Sequence, residues 1–248
     1  MDLNGTASIV TGGNGGLGQR ICRALADAGS DVAVVYSRSR DGAEEVASGL
    51  HDTGVRARAF QCDVTRPEQI ERLASEVLDA FGRIDILVND AAYNKMIPFD
   101  DLDGAYEEWD KMMSINLTGP MLCIRAVVPA MKRQGGGRVV NISSVAGMTP
   151  SGSSIPYAVA KAGLNHLTRC MAVGLAPEIL VNCIASGFLE GTKATANLSV
   201  EFQEAARSGA LLKRAADKDD IADQVVSFCR TDSVTGQTLV IDSGRFFH

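Results

Sequence analysis

The amino-acid sequence predicts an α/β fold with a doubly wound parallel sheet in a single domain, residues 1–248. Short apolar runs rich in β-branched residues alternate with helix-like segments along nearly the whole chain, which is the pattern of repeated strand–helix–strand units. A glycine-rich turn follows the first apolar run, as a ligand-binding sheet of this class requires. No Pro-rich linker or long charge run interrupts the chain, so its length fits one larger α/β domain.

The order of the elements follows from these patterns. Strands are predicted at residues 6–11, 31–36, 56–62, 84–88, 139–144, 179–185 and 237–241. Helices are predicted at 19–28, 42–52, 67–81, 156–175 and 217–229, with a long helical region around 109–128 and a weak helix at 200–207. Right-handed crossovers between successive strands then give a parallel sheet. Because residues 190–214 contain no long apolar run, we expect a substrate loop at about 187–215.

Composition narrows the classes of function. The formal net charge is −6 and Lys and Arg form no cluster, which argues against nucleic acid or a membrane surface as a partner. No apolar run approaches transmembrane length, and no signal-peptide pattern is present. The six cysteines form no Cys-x-x-Cys pair and the three histidines are isolated. We therefore expect a cytoplasmic protein with reduced thiols and no metal site.

The glycine-rich turn indicates a dinucleotide site. It lies between the first predicted strand and the first predicted helix, and its glycines have the spacing Gly-x-x-x-Gly-x-Gly. Glycines let the backbone approach a pyrophosphate, and the helix N-terminus offers N–H donors to it. The predicted cofactor-binding residues of this turn are Gly12, Asn14, Gly15, Gly16, Leu17 and Gly18.

The end of the second strand bears on which dinucleotide is bound. An acidic residue there would bind the adenosine ribose hydroxyls and repel a 2′-phosphate. The chain instead continues with Ser37, Arg38, Ser39 and Arg40 after Tyr36. Two guanidinium groups without a carboxylate favour a 2′-phosphate. The sequence therefore favours NADP(H), with Ser37 and Arg38 as contacts and NAD(H) as the alternative.

Three polar residues are candidates for the chemistry. Ser144 ends a predicted strand, and Tyr157 and Lys161 lie four residues apart on one face of the following helix. A phenol titrates near pH ~10, and a neighbouring ammonium lowers that pKa. A phenol tuned in this way can exchange a proton with a carbonyl oxygen, while a serine hydroxyl fixes that oxygen. Taken alone, Tyr-x-x-x-Lys could also be a chance helical pair.

Together these motifs resemble those of the classical short-chain dehydrogenases/reductases over nearly the full chain. The matching segments are Thr11-Gly12-x-x-x-Gly16-Leu17-Gly18, Asp63-Val64, Ile115-Asn116-Leu117, Ser144 and Tyr157-x-x-x-Lys161. The resemblance implies a Rossmann-type fold, a nicotinamide dinucleotide, and reversible hydride transfer between a carbonyl and an alcohol. It also implies a homotetramer or homodimer built on the two long helices around Ser144 and on the C-terminal strand.

The resemblance also implies roles for single residues. Tyr157 would be the acid/base, Ser144 would anchor the carbonyl, and Lys161 would bind the nicotinamide ribose and tune the phenol. Asn116 would hold a water in a proton relay. The further cofactor contacts that it implies are Asp63, Val64, Asn89, Ala91, Tyr157, Lys161, Gly187, Leu189 and Thr192.

Several positions depart from the family pattern. Asp90 and Ala92 stand in Asn-Asp-Ala-Ala where Asn-Asn-Ala-Gly is usual, which adds a charge and a methyl group beside the expected cofactor. Ser186 replaces a usual proline, and Gly191 takes the place of a threonine, with Thr192 one residue later. These departures bear on cofactor affinity and leave the four catalytic positions intact.

The sequence thus favours an NADP(H)-dependent oxidoreductase that interconverts a ketone and a secondary alcohol. The alternatives are an NAD-dependent sugar or secondary-alcohol dehydrogenase, a 3-oxoacyl-thioester reductase, and a non-catalytic dinucleotide-binding protein. Apolar side chains that could form the substrate pocket suggest a mostly apolar small molecule; they are Tyr93, Met96, Met148, Phe188 and Leu189.

Overall fold

The computed structural model describes residues 1–192, 195 and 198–247, and these form one seven-stranded sheet. The strands are β1 Ala7–Thr11, β2 Asp31–Tyr36, β3 Ala57–Gln61, β4 Ile86–Asn89, β5 Gly137–Ser144, β6 Ile179–Ser186 and β7 Thr238–Ile241. All neighbouring pairs are parallel, in the order β3-β2-β1-β4-β5-β6-β7. The predicted doubly wound parallel sheet is therefore confirmed.

Helices cover both faces of the sheet. They are α1 Gly18–Asp27, α2 Arg40–Gly49, α3 Pro67–Phe81, α4 Leu102–Met113, α5 Gly119–Arg133, α6 Ile155–Leu175, α7 Val200–Gly209 and α8 Lys218–Arg230. One apolar core packs α1, α2 and α8 against the sheet, and a second core packs α3, α5 and α6 against the other face. The central strands are buried on both faces, which explains their continuous apolar sequences.

The connections place a site at one edge of the sheet. The chain runs outward from β1 to β3, returns to β4 on the other side of β1, and then runs outward again to β7. In such a sheet, the carboxyl ends of the strands on either side of the reversal form a crevice that binds ligands. Here the reversal lies between β1 and β4, directly beyond Thr11 and Asn89.

A π-helical turn, Ser114–Thr118, joins α4 to α5. Pro120 has no N–H to donate to the Asn116 carbonyl four residues earlier, and the Asn116 Nδ2 donates to the Met112 carbonyl oxygen at 3.0 Å. Both features disturb the α-helical ladder at this point.

The joined helix, Leu102–Arg133, is long and apolar enough to pass a membrane-span test among the described residues. A core helix passes the same test, and this one packs on the sheet, α3 and α6.

Candidate active site

One cavity of about 700 Å³ runs along the carboxyl edge of the sheet. It extends from the glycine-rich turn to the C-terminal tail. Most of the predicted site residues line it: Gly12, Asn14, Gly15, Gly16, Leu17, Ser37, Arg38, Asp63, Val64, Ala91, Ser144, Tyr157, Lys161, Gly187, Leu189 and Thr192. The lining does not include Gly18, Asn89 or Asn116. Among the described residues, no group of three or more His, Cys, Asp and Glu side chains could hold a metal ion.

Close backbone packing shapes the glycine-rich turn. Gly12 has φ +69°, and a Cβ there would lie 3.0 Å from the Ala91 Cα. A Cβ on Gly16 would lie 2.6 Å from the Gly191 carbonyl oxygen, so the segment after β6 lies directly on this turn. The Asn14 Nδ2 donates to the Ser39 carbonyl oxygen at 3.1 Å. The cradle is therefore narrow and made of backbone, as a pyrophosphate site requires.

Gly18 and Asn89 do not line the described cavity, and their contact with a dinucleotide stays a prediction. A Cβ on Gly18 would lie 2.3 Å from the Gly12 carbonyl oxygen, so Gly18 lets α1 begin against the turn and faces away from the cavity. The Asn89 side chain is buried and donates from Nδ2 to the Asn141 Oδ1 at 2.9 Å. Asn141 in turn donates to the Thr168 hydroxyl. Asn89 thus cross-links two strands inside the sheet.

Arg38 lies at the adenosine end of the predicted site. It is exposed, lines the cavity with Ser37 and Asp63, and has no ion pair within the described part of the chain. Arg40, by contrast, pairs with Glu44 at 2.7 Å and does not line the cavity. The expectation of two guanidinium groups at this position is therefore corrected to one, because an i,i+4 carboxylate draws the second onto the surface of α2.

The two hydroxyls and the amine meet at the centre of the cavity. Ser154 caps α6 by accepting from the Tyr157 N–H at 3.4 Å, which places Tyr157 in the first helical turn. Its phenol lies beside the Ser144 hydroxyl at the end of β5, and both line the same cavity. Lys161, one turn later, lies with Nζ 5.7 Å from the centroid of the Tyr157 ring and donates to the Ile142 carbonyl oxygen at 2.9 Å.

The charges in this cluster differ from the sequence expectation. Burial raises the pKa of Tyr157 to about 12; the Ser144 hydrogen bond opposes this shift and the charge of Asp90 adds to it. Burial lowers the pKa of Lys161 to about 8, against the attraction of Asp90. The phenol pKa thus lies above its usual value in this structure, and the lowering of that pKa by Lys161 stays a prediction. Tyr157 is neutral at pH 7, which is the form that can give a proton to a carbonyl oxygen.

Asn116 is separate from this cluster. Its side chain is fully buried, donates to the Tyr93 carbonyl oxygen at 2.8 Å, and accepts from the Tyr93 N–H at 3.1 Å. These bonds fix the loop that follows β4. The structure does not bring the Asn116 amide to the cavity wall, and the water-holding role stays a prediction.

The structure adds residues that the sequence did not single out as contacts. Asp90 lines the cavity, and burial raises the pKa of its carboxyl to about 7, against the opposing charge of Lys161. The aspartate at position 90, where the family usually has asparagine, was the sequence feature that could have indicated this role. Arg245 and Phe246 also line the cavity, and no local pattern marks them. Of the proposed apolar walls, Tyr93, Phe188 and Leu189 line the cavity, whereas Met96 and Met148 do not.

The predicted substrate loop covers part of the cavity. Between β6 and α8, the side chains that line it include Phe188, Leu189, Thr195, Leu198 and Phe202. The predicted loop also includes residues 193, 194, 196 and 197, which lie outside the described part of the chain. The segment thus brings mainly apolar side chains to the cavity that Ser144 and Tyr157 also line.

Comparisons with known proteins agree with this geometry. The family model for short chain dehydrogenases matches residues 6–202. "Dehydrogenase/reductase SDR family member 4" from Homo sapiens is 36% identical, covering 98% of this chain and 88% of the relative. "3-oxoacyl-(acyl-carrier-protein) reductase FabG" from Staphylococcus epidermidis is 34% identical, covering 97% and 98%.

A solved structure is similar over most of its length. The "NADPH-Dependent 3-Quinuclidinone Reductase" from Rhodotorula rubra superposes with a TM-score of 0.91 at 26% identity, covering 98% of this chain and 92% of that one. With the parallel sheet and the Ser144, Tyr157 and Lys161 cluster on one cavity, these matches show that the chain belongs to the short-chain dehydrogenase/reductase family and is an NAD(P)-dependent oxidoreductase.

Proposed function

We propose that this oxidoreductase is an NADP(H)-dependent reductase of ketones that also oxidises secondary alcohols in the reverse direction. The observation that carries the proposal is the pair of neighbouring hydroxyls, Ser144 and Tyr157, on the wall of a cavity that begins at the glycine-rich turn. A carbonyl oxygen that takes the place between these hydroxyls accepts a hydrogen bond from each of them.

Different residues of the chain have different roles in the proposed reaction. When bound, the dinucleotide supplies the hydride that reduces the carbonyl carbon. Ser144 holds the carbonyl oxygen, and Tyr157 gives it a proton, for which its neutral form is suited. Lys161 lies at the cavity wall, one helical turn from Tyr157, and we propose that its amine binds the nicotinamide ribose. The segment at about 187–215 closes the substrate end against water.

The dinucleotide itself fits the residues that are present. Side chains at Gly12 and Gly16 would fill the cradle that a pyrophosphate needs. Arg38 offers a guanidinium at the adenosine end that has no ion pair in the described part of the chain. A 2′-phosphate would form charge-assisted hydrogen bonds with that group. A preference for NADP(H) is also in line with the NADPH dependence named for the Rhodotorula rubra reductase.

Replacing Arg38 tests the cofactor preference. We expect Arg38→Gln to lower kcat/KM for NADPH by roughly tenfold to hundredfold, since one charge-assisted contact to the phosphate is lost. The value for NADH is expected to change little. Arg40→Gln is the matched control, because Arg40 pairs with Glu44 outside the cavity. Initial rates with both dinucleotides provide the measurement, and a parent enzyme that prefers NADH would contradict the proposal.

A second candidate function is the reduction of a 3-oxoacyl thioester. The similarity to the Staphylococcus epidermidis reductase supports it. An NAD-dependent sugar or secondary-alcohol dehydrogenase is a third. Initial rates for a panel of ketones, 3-oxoacyl thioesters, sugars and secondary alcohols, each with NADPH and NADH, separate the three. Cofactor binding without turnover of any substrate would favour a non-catalytic protein.

We further propose a homotetramer or homodimer in the cytoplasm. Family members commonly oligomerise, and exposed apolar side chains lie on the helices and strand expected at the contacts. They are Leu102 and Tyr106 on α4, Val159 and Val173 on α6, and Leu239 on β7. Light scattering during size-exclusion chromatography measures the mass, and a monomer at micromolar concentration would oppose this proposal.

A further inference from the structure

Arg245 lies at the end of the cavity opposite the adenosine site. It follows β7, which is the strand at one edge of the sheet, whereas Arg38 and Asp63 follow β2 and β3 at the other edge. Ser144 ends β5 between these edges. The Arg245 side chain is half-buried and lines the cavity together with Phe246. Arg245 is therefore placed beyond the reacting centre, on the side where the substrate extends.

The tail that carries Arg245 is anchored to the body of the protein. The buried carboxylate of Asp242 accepts from the N–H groups of Gly244, Arg245 and Phe246 at 2.9, 3.1 and 2.7 Å. The Ser243 hydroxyl donates to the Ala215 carbonyl oxygen at 3.0 Å. These bonds fix the backbone that positions the guanidinium.

The Arg245 guanidinium has no carboxylate partner in the described part of the chain. Its carbon lies 5.3 Å from the centroid of the Phe246 ring, and the structure shows no ion pair to it. Arg207, which is also near this end, pairs with Glu190 and does not line the cavity. A half-buried cation without a counter-charge loses solvation that an anionic ligand would restore.

The other charges on the cavity wall agree with an anionic ligand at this end. The carboxylates that line the described cavity are Asp63 and Asp90, which follow β3 and β4. Arg245, which follows β7, therefore lies away from both of these carboxylates along the sheet edge.

We propose that the ketone substrate carries an anionic group, a carboxylate or a phosphate, which the Arg245 guanidinium binds through paired hydrogen bonds. This inference rests on the proposed function, because it names the class of ketone that is reduced. Apolar side chains such as Phe202 and Leu198 contact the carbon skeleton between the carbonyl and the anion. The anion takes no part in hydride or proton transfer, so it is unchanged in the alcohol product.

Matched charged and neutral substrates test this inference. The first pair is para-acetylbenzoate and its methyl ester, which differ in a carboxylate. The second pair is acetoacetyl-4′-phosphopantetheine and acetoacetyl-pantetheine, which differ in a phosphate. We expect the parent enzyme to favour the charged member of at least one pair in kcat/KM by roughly tenfold to hundredfold. The pair that shows this preference identifies the source of the anion.

Variants assign the preference to Arg245. Arg245→Gln is expected to raise KM for the charged ketone and bring the ratio within each pair close to one, with the neutral ketone turned over as before. Arg245→Lys is expected to restore part of the ratio, and Arg207→Gln to leave it unchanged. A loss of the ratio in Arg207→Gln, or its retention in Arg245→Gln, would overturn the inference.

A binding measurement separates this inference from the proposed reaction. Calorimetric titration of the parent protein and Arg245→Gln with terephthalate, in the presence of NADP⁺, reports anion binding without turnover. Binding by the parent alone supports the inference even if no ketone is reduced, which would count against the reaction only. Turnover of the ketones without any charge preference or terephthalate binding overturns the inference and leaves the reaction standing. Absence of both turnover and binding overturns both.

Discussion

Tyr157→Phe is expected to lower kcat by roughly a hundredfold to ten-thousandfold, the usual contribution of a positioned proton donor. The phenol lies beside Ser144, and Tyr157 is in the first turn of a capped helix, so the substitution removes one oxygen and leaves the ring packed. Steady-state rates with the preferred ketone, together with calorimetric titration of NADPH, measure both consequences.

The dinucleotide affinity of that variant is expected to stay near the parent value, because the glycine-rich turn and Arg38 are unchanged. Tyr93→Phe is the matched control. Tyr93 also lines the cavity, but its hydroxyl donates to Glu108 at 3.1 Å, so removal of that oxygen is expected to affect kcat little. If Tyr157→Phe turned over substrate at the parent rate, the proposed proton transfer would be ruled out.

Asp90→Asn is expected to make the protein more stable than the parent at pH 8, with a smaller gain at pH 5. Burial raises the pKa of this carboxyl to about 7, well above the value of about 3.9 for an unfolded aspartate. The folded protein therefore binds this proton more tightly than the unfolded chain does. The resulting stabilisation is complete below pH ~4 and is lost as the pH rises through about 7.

The size of the effect follows from the same shift. Three pKa units correspond to about 4 kcal/mol of unfolding free energy. The attraction of Lys161 is already contained in this shift, and the asparagine amide that replaces the carboxyl still carries a cost of burial. We expect a net gain of about 1–3 kcal/mol at pH 8. Urea unfolding from pH 5 to 8.5 measures it.

Asp100→Asn makes the same chemical change at an exposed position without an ion pair in the described structure, and we expect no pH-dependent gain from it. A gain from Asp90→Asn that did not depend on pH would show that the buried charge is not its cause.

The same substitution is expected to affect the cofactor. Asp90 lines the cavity beside Ala91, which contacts the glycine-rich turn, so its negative charge opposes an anionic dinucleotide. At pH 8 we expect Asp90→Asn to bind NADPH several-fold more tightly than the parent does, and at pH 5 equally tightly, because the parent carboxyl is then protonated. Weaker binding by the variant at pH 8 would contradict this reasoning.

Much of the fold could be predicted from local sequence patterns. The apolar runs gave the inner strands because a strand buried on both faces must be continuously apolar. The partly exposed edge strands β3 and β7 were also predicted. Pro156 begins α6 as expected, which sets the register of Tyr157 and Lys161 on one helical face. The glycine-rich turn, Ser144 and these two residues are close in sequence to the elements that position them, so their meeting at one cavity could be predicted.

Other properties of the site depend on contacts between distant segments. The sequence alone determined the α/β class, the order of the elements and the residues able to transfer a proton. Only the tertiary structure decided that Asn89 faces Asn141 within the sheet, that Arg40 is drawn to Glu44, and that Arg245 reaches the cavity. It also decided that the pKa of Tyr157 rises, because solvation and charge at a buried group depend on every segment packed around it and not on its sequence neighbours.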